Sequence, residues 1–108
     1  MGAEKNFENR IKSYLRDLEL YHVKFFANGY TKRGVPDILA CINGRFVGIE
    51  TKSDDGKPTK IQLYNIKQIR RSGGYAWVVY PTGWNQLKEL INRILDGKNI
   101  IESEVILK

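Results

Sequence analysis

Asp37, Glu50 and Lys52 are the residues whose types and spacing could do chemistry. Asn43-Gly44 stands between two apolar runs, 37–42 and 45–52. An Asn-Gly pair in that setting is the strongest short-range hairpin signal, because a type I′ turn needs positive φ at both central residues. A two-residue loop fixes the register. Ile42 then pairs with Arg45, Cys41 with Phe46, Ala40 with Val47, Leu39 with Gly48 and Ile38 with Ile49. Asp37 lands opposite Glu50. Directly opposed side chains have Cβ atoms ~4.5–5.5 Å apart, and like charges placed that way are destabilising. The pair therefore calls for a cation. Lys52 lies two residues past Glu50 and emerges on the same face of its strand. Two carboxylates and an ammonium on one side of a sheet suit a divalent metal with hard oxygen ligands, Mg²⁺ or Mn²⁺. The lysine can orient an attacking water or stabilise charge on a pentacovalent phosphate. A Glu-x-Lys pair on a strand is usually a solvated surface pair. The independent turn signal, which sets Asp37 against Glu50, lifts this one above that background.

The remaining elements must hold these strands in place. Phe7, Ile11, Tyr14, Leu15 and Leu18 form one apolar stripe at helical spacing, predicting a helix over 5–20 with Glu8 at the stripe's edge. Residues 21–26 are rich in aromatic and β-branched types and read as a strand. A polar loop follows, with Thr31, Lys32 and Arg33 just before the Asp37 strand. Thr59-Lys60-Ile61-Gln62 fits a capping box, with Thr59 at the N-cap and Gln62 at N3. That helix should run to about Ser72 and stop at Gly73-Gly74. Residues 75–80 read as an apolar, central strand. Leu87, Leu90, Ile91, Ile94 and Leu95 mark a last amphipathic helix, and 100–107 can add an edge strand. The order α-β-β-β-α-β-α(-β) gives an α/β (α+β) fold, a mixed sheet flanked by helices, in a single domain over 1–108.

Composition narrows the chemistry further. One cysteine, Cys41, excludes an intramolecular disulfide, and one histidine, His22, excludes an all-histidine metal site. Cys41 reads as a small buried hydrophobe and His22 as a strand residue. The net charge of +6 points to a polyanion, most often nucleic acid. No apolar run approaches the ~20 residues of a membrane helix. The N-terminus leads into an amphipathic stretch and not an apolar signal core, so the expected location is cytoplasmic.

Gly34-Val35-Pro36-Asp37, the run 44–52 ending Glu50-Thr51-Lys52, Gly56-Lys57, Gln62 and Gly73-Gly74-Tyr75-Ala76 resemble the PD-(D/E)XK nuclease superfamily. More narrowly, they resemble its VRR-NUC (virus-type replication-repair nuclease) family, over roughly 30–80. The resemblance implies a restriction-endonuclease-like core. It makes Asp37 and Glu50 metal ligands, the Thr51 main-chain carbonyl a further ligand, and Lys52 the catalytic lysine. Gln62 matches the family's helix glutamine, close to lysine and metal, a role compatible with capping Thr59. Glu8 matches the first-helix acid of many relatives, which orders water at the metal or binds a second ion; otherwise it is a solvated helix acid. Small stand-alone versions of the family occur in phages and bacteria.

The resulting reading is an Mg²⁺- or Mn²⁺-dependent DNA endonuclease that leaves 5′-phosphate and 3′-hydroxyl ends. Its expected substrate is branched DNA, four-way Holliday junctions or flaps. Thr31, Lys32, Arg33, Lys57, Lys60 and Lys67 are candidates for phosphate contact. The competing readings are a nuclease for linear or single-stranded ends and a basic nucleic-acid-binding module without activity. A homodimer is expected, with the last helix or its flanks (Trp84, Ile100, Ile101) as contact surface and the first helix as competitor.

Overall fold

A computed structural model describes residues 2–98, 100 and 104–108. The elements run α1 (Ala3–Asp17), β1 (His22–Lys24), β2 (Ile38–Ile42), β3 (Arg45–Thr51), α2 (Lys60–Arg71), β4 (Tyr75–Val79), a 3-10 turn (Pro81–Gly83), α3 (Trp84–Leu95) and β5 (Ile106–Leu107). This is the expected order. The sheet order among these residues is β1-β2-β3-β4-β5, antiparallel through β3 and parallel from β3 to β5. It is a mixed α/β arrangement of the restriction-endonuclease-like kind.

The hairpin register matches the expectation at every pair, from Ile42↔Arg45 to Ile38↔Ile49. Asn43 and Gly44 take φ of 50° and 76°, the left-handed values the tight turn demands. Strand alternation then divides the core. One face carries Ile38, Ala40, Ile42, Val47, Ile49 and Trp77 against Phe7, Ile11 and Leu15 of α1 and Leu87, Ile91 and Ile94 of α3. The other face carries Ala76, Val78 and Tyr80 against Ile66 of α2.

Several expectations shift. The first helix ends at Asp17, because Glu19 takes a left-handed φ of 57° and turns the chain toward β1. β1 spans three residues, and β3, not the 75–79 strand, is the middle of the sheet. Cys41 is exposed, not buried. It shares a face with Phe46 and Tyr21, and α2 covers only the β3–β4 half of that face. Leu87, Leu90, Ile91 and Ile94 are buried in the chain's own core, and Trp84 packs edge-on to Phe7 and Tyr14. The last helix therefore presents no open apolar stripe for a partner. Of the expected final strand, Ile106–Leu107 is formed, while Ile101 lies outside the described residues.

Candidate active site

Asp37 stands at the point where the chain bends into β2. Pro36 is buried beside Gly48, where an added Cβ would come within 3.0 Å of Pro36 Cγ and of Ile69 Cδ1. Gly48 thus makes room for the proline that sets the bend. Upstream, Gly34 has φ +79°, and a Cβ there would lie 2.7 Å from the Ile61 carbonyl oxygen. The loop passes α2 closely, and the buried Asn65 amide donates to the Arg33 carbonyl (3.0 Å) and the Ile61 carbonyl (2.8 Å). Asn65, which gave no local sequence signal, ties the Thr31-Lys32-Arg33 loop to α2.

The Thr51 N–H donates to Asp37 Oδ2 (2.9 Å), and the Thr51 hydroxyl donates to the same oxygen (2.8 Å). Thr51 lies beyond the last ladder pair, and the N–H and C=O of one strand residue point to the same side. Its carbonyl therefore also faces the Asp37 edge. Lys52 Nζ is 3.8 Å from Glu50 Oε2, on the face expected for it. Gln62 closes the capping box as expected, and it also reaches the Glu50 carboxylate. Its Oε1 accepts from the Thr59 N–H (2.9 Å) and its Nε2 donates to Glu50 Oε2 (3.2 Å). One side chain closes the capping box and reaches the strand carboxylate.

Glu50 is 3% exposed, and its Oε1 is buried with no hydrogen-bond partner. Burial first, then the Asp37 charge, push its carboxyl up to about 8, against a smaller opposing pull from Lys52. A buried carboxylate beside another, with an oxygen unsatisfied, is a donor set whose chemistry suits a cation. Among the described residues no cluster of three His, Cys, Asp or Glu side chains could hold a metal alone. Two carboxylates with one main-chain carbonyl suit Mg²⁺, which keeps waters and recruits phosphate oxygens.

Glu8, expected at a stripe edge, is 4% exposed and not a solvated acid. Lys24 Nζ lies 2.7 Å from its Oε1, and Lys5 and Lys12 Nζ each lie 3.3 Å from its Oε2. Burial raises its carboxyl, but these lysines, Lys24 foremost, outweigh burial and hold it below the ordinary range. Lys24 Nζ also lies 3.5 Å from Asp37 Oδ1. Lys24 is the site residue that sequence reasoning missed. Its signal was an unexplained charge at the end of the strand that pairs beside Asp37.

The basic candidates separate. Lys32, Arg33, Lys57, Lys60 and Lys67 are exposed, while Thr31 caps its own loop through Asn28. Arg70 of the same basic run donates instead to the Ala76 and Glu104 carbonyls, a structural tie. No helix among the described residues is long and apolar enough to cross a membrane.

No curated protein matches the chain. The model of the family described as archaeal Holliday junction resolvase (Hjc) matches residues 3–100, which span α1 to α3 and every site residue above. The chain belongs to the archaeal Holliday junction resolvase family, within the PD-(D/E)XK nuclease superfamily.

Proposed function

We propose that this chain is a divalent-metal-dependent endodeoxyribonuclease that cuts branched DNA, four-way junctions first and flaps second. The observation that carries the reading is Glu50, buried, beside Asp37, with one carboxylate oxygen unpartnered. Asp37, Glu50 and the Thr51 carbonyl would hold Mg²⁺ or Mn²⁺. When bound, the ion would supply Lewis-acid polarisation of the phosphate and a lower pKa for the attacking water. The chain's own groups do the rest. Thr51 fixes one oxygen of Asp37, and Gln62 fixes Oε2 of Glu50, which leaves Oε1 as donor. The Lys52 ammonium orients the water and meets the charge that builds on the phosphate oxygens. Lys32, Arg33, Lys57, Lys60 and Lys67, with the Thr31 hydroxyl, would engage backbone phosphates. The narrower likeness to the VRR-NUC family rests on the motif residues alone, and the family match favours the junction as substrate.

A homodimer suits two cuts in opposed strands, and its contact surface moves away from the last helix. The uncovered sheet half-face exposes Tyr21 (75%) and Phe46 (50%), and α2 exposes Tyr64 (54%) beside it. An apolar patch of this kind commonly marks an interface. Sedimentation equilibrium separates a dimer from the 12.5 kDa single chain.

The deciding experiment digests a labelled four-way junction and a linear duplex of the same sequence, in Mg²⁺ and in EDTA. Junction cleavage in Mg²⁺ alone supports the reading. Equal cutting of duplex or single-stranded ends points to an end-directed nuclease. Binding without cleavage in Mg²⁺ leaves a basic binding module.

A further inference from the structure

Among the described residues, Lys24 is the ammonium that touches two carboxylates, Glu8 Oε1 at 2.7 Å and Asp37 Oδ1 at 3.5 Å. We propose that this ammonium occupies the place of a second cation, so that the site takes a single divalent ion, on the Asp37–Glu50 side. The inference rests on the metal-dependent reading above and fixes its stoichiometry.

Three observations carry it. The first is position. In a two-metal site the ions sit about 3.5–4 Å apart and share ligands. An ion shared by Asp37 and the first-helix carboxylate would have to lie between them, where Lys24 Nζ already lies. The second is charge. Glu8 faces the ammonium groups of Lys5, Lys12 and Lys24 through both of its oxygens. A dication added to three cations around one carboxylate is opposed by repulsion in a poorly solvated place. The third is asymmetry. Glu8 has partners on both oxygens, whereas Glu50 Oε1 has none. The donor capacity left over is on the Glu50 side. Lys24 is also held where it is: its ammonium is packed over the Phe26 ring at 5.8 Å, and its side chain is only 19% exposed. Lys24 is thus a positioning residue for Asp37, and it ties α1 to the centre through Glu8.

The test is a count of bound Mn²⁺ on the full chain, from the electron paramagnetic resonance signal of the free ion. Wild type should bind one ion per chain, and Asp37→Asn should bind at least tenfold more weakly. Two ions per wild-type chain would overturn the inference and leave the metal-dependent reading intact. No binding and no Mg²⁺-dependent cleavage would overturn that reading itself. Lys24→Gln, folded by circular dichroism, should admit a second ion; a count that stays at one would show that Lys24 is not what excludes it. Lys24→Arg keeps the cation and should keep the count at one, so the role of the charge stays open to refutation if the glutamine variant does not fold. Two ions in Lys24→Arg would refute the role of the charge.

Discussion

Glu8 and Glu50 are buried to nearly the same degree, 4% and 3% exposed, yet they stand in opposite states. Glu8 meets three ammonium groups and its carboxyl is held below the ordinary range. Glu50 meets one lysine at 3.8 Å and a neighbouring carboxylate, and its carboxyl is pushed up to about 8. Burial penalises the charged form in both and is the leading cause at Glu50, whereas at Glu8 three ammonium groups outweigh it. The Glu8 region is an ion-pair cluster complete in itself. The Glu50 region keeps one buried carboxylate oxygen without a hydrogen-bond partner.

The largest expected effect breaks the comparison at its chemical end. Asp37→Asn or Glu50→Gln should lower junction cleavage by about a thousandfold or more, beyond the ~10–100-fold typical of a residue that only supports a ligand. Without metal the same changes should be neutral or should raise the melting temperature above about pH 8, where Glu50 ionises and each removes one of two crowded charges. Cleavage near wild type, or a large loss of metal-free stability, would place Glu50 in the same class as Glu8.

Glu8→Gln should do the reverse. It leaves Lys5, Lys12 and Lys24 facing one another around a neutral amide. Removing one partner of a buried pair costs ~3–5 kcal/mol. The lysines here are 19–44% exposed, so about 1–3 kcal/mol is the expected loss. At ~4–8 °C per kcal/mol for a domain of this size, thermal melting resolves it readily. A melting temperature equal to wild type would mean the cluster holds nothing together.

The two carboxyls also predict opposite pH behaviour of the metal-free protein. Folded Glu50 keeps a proton up to about 8, against an ordinary 4.5, so the folded state binds more protons between those values. Its contribution to stability therefore falls as pH rises through that window, by on the order of a few kcal/mol. Glu8 contributes stability above the ordinary value and loses it as pH falls through its lowered one. Melting temperatures of the wild type should decline from about pH 5.5 to about 8.5, and Glu50→Gln should flatten that decline. Parallel slopes would remove the distinction between the two sites.

The legibility of the two regions differs for a physical reason. The Glu50 side is set by local signals. Asn43-Gly44 fixes a register that runs to Ile38↔Ile49 and brings the Asp37 charge against Glu50 one residue further on, and Thr59 with Gln62 fixes a helix start whose N3 side chain reaches the strand. The Glu8 side is set by α1 packing across β1. A lysine in a three-residue strand looks like any solvated charge until that packing brings Glu8 to it. Cys41 and the last helix fail for a related reason. Alternation says which face a side chain takes, and a helical stripe says which residues are apolar. Neither says which half of a sheet face a helix covers, or whether the chain's own core or a partner takes the stripe.

The smallest effect extends the comparison from the acids to the cations. Lys5, Lys12 and Lys24 turn inward to Glu8, while Lys32 and Arg33 are exposed on the loop clamped by Asn65. A cation already paired to a carboxylate releases few counterions when DNA arrives. A solvated one that meets a phosphate releases nearly one, and each such contact adds about 0.9 to the slope of log affinity against log salt. Junction binding measured in Ca²⁺ should therefore weaken steeply with salt. Replacing Lys32 and Arg33 together by alanine should lower that slope by up to about two units. Lys12→Ala should leave it unchanged, even though it too removes a positive charge from the net total. A slope that responds to Lys12 and ignores the loop would mean that the DNA lies along α1, and that the Glu8 cluster opens to receive it.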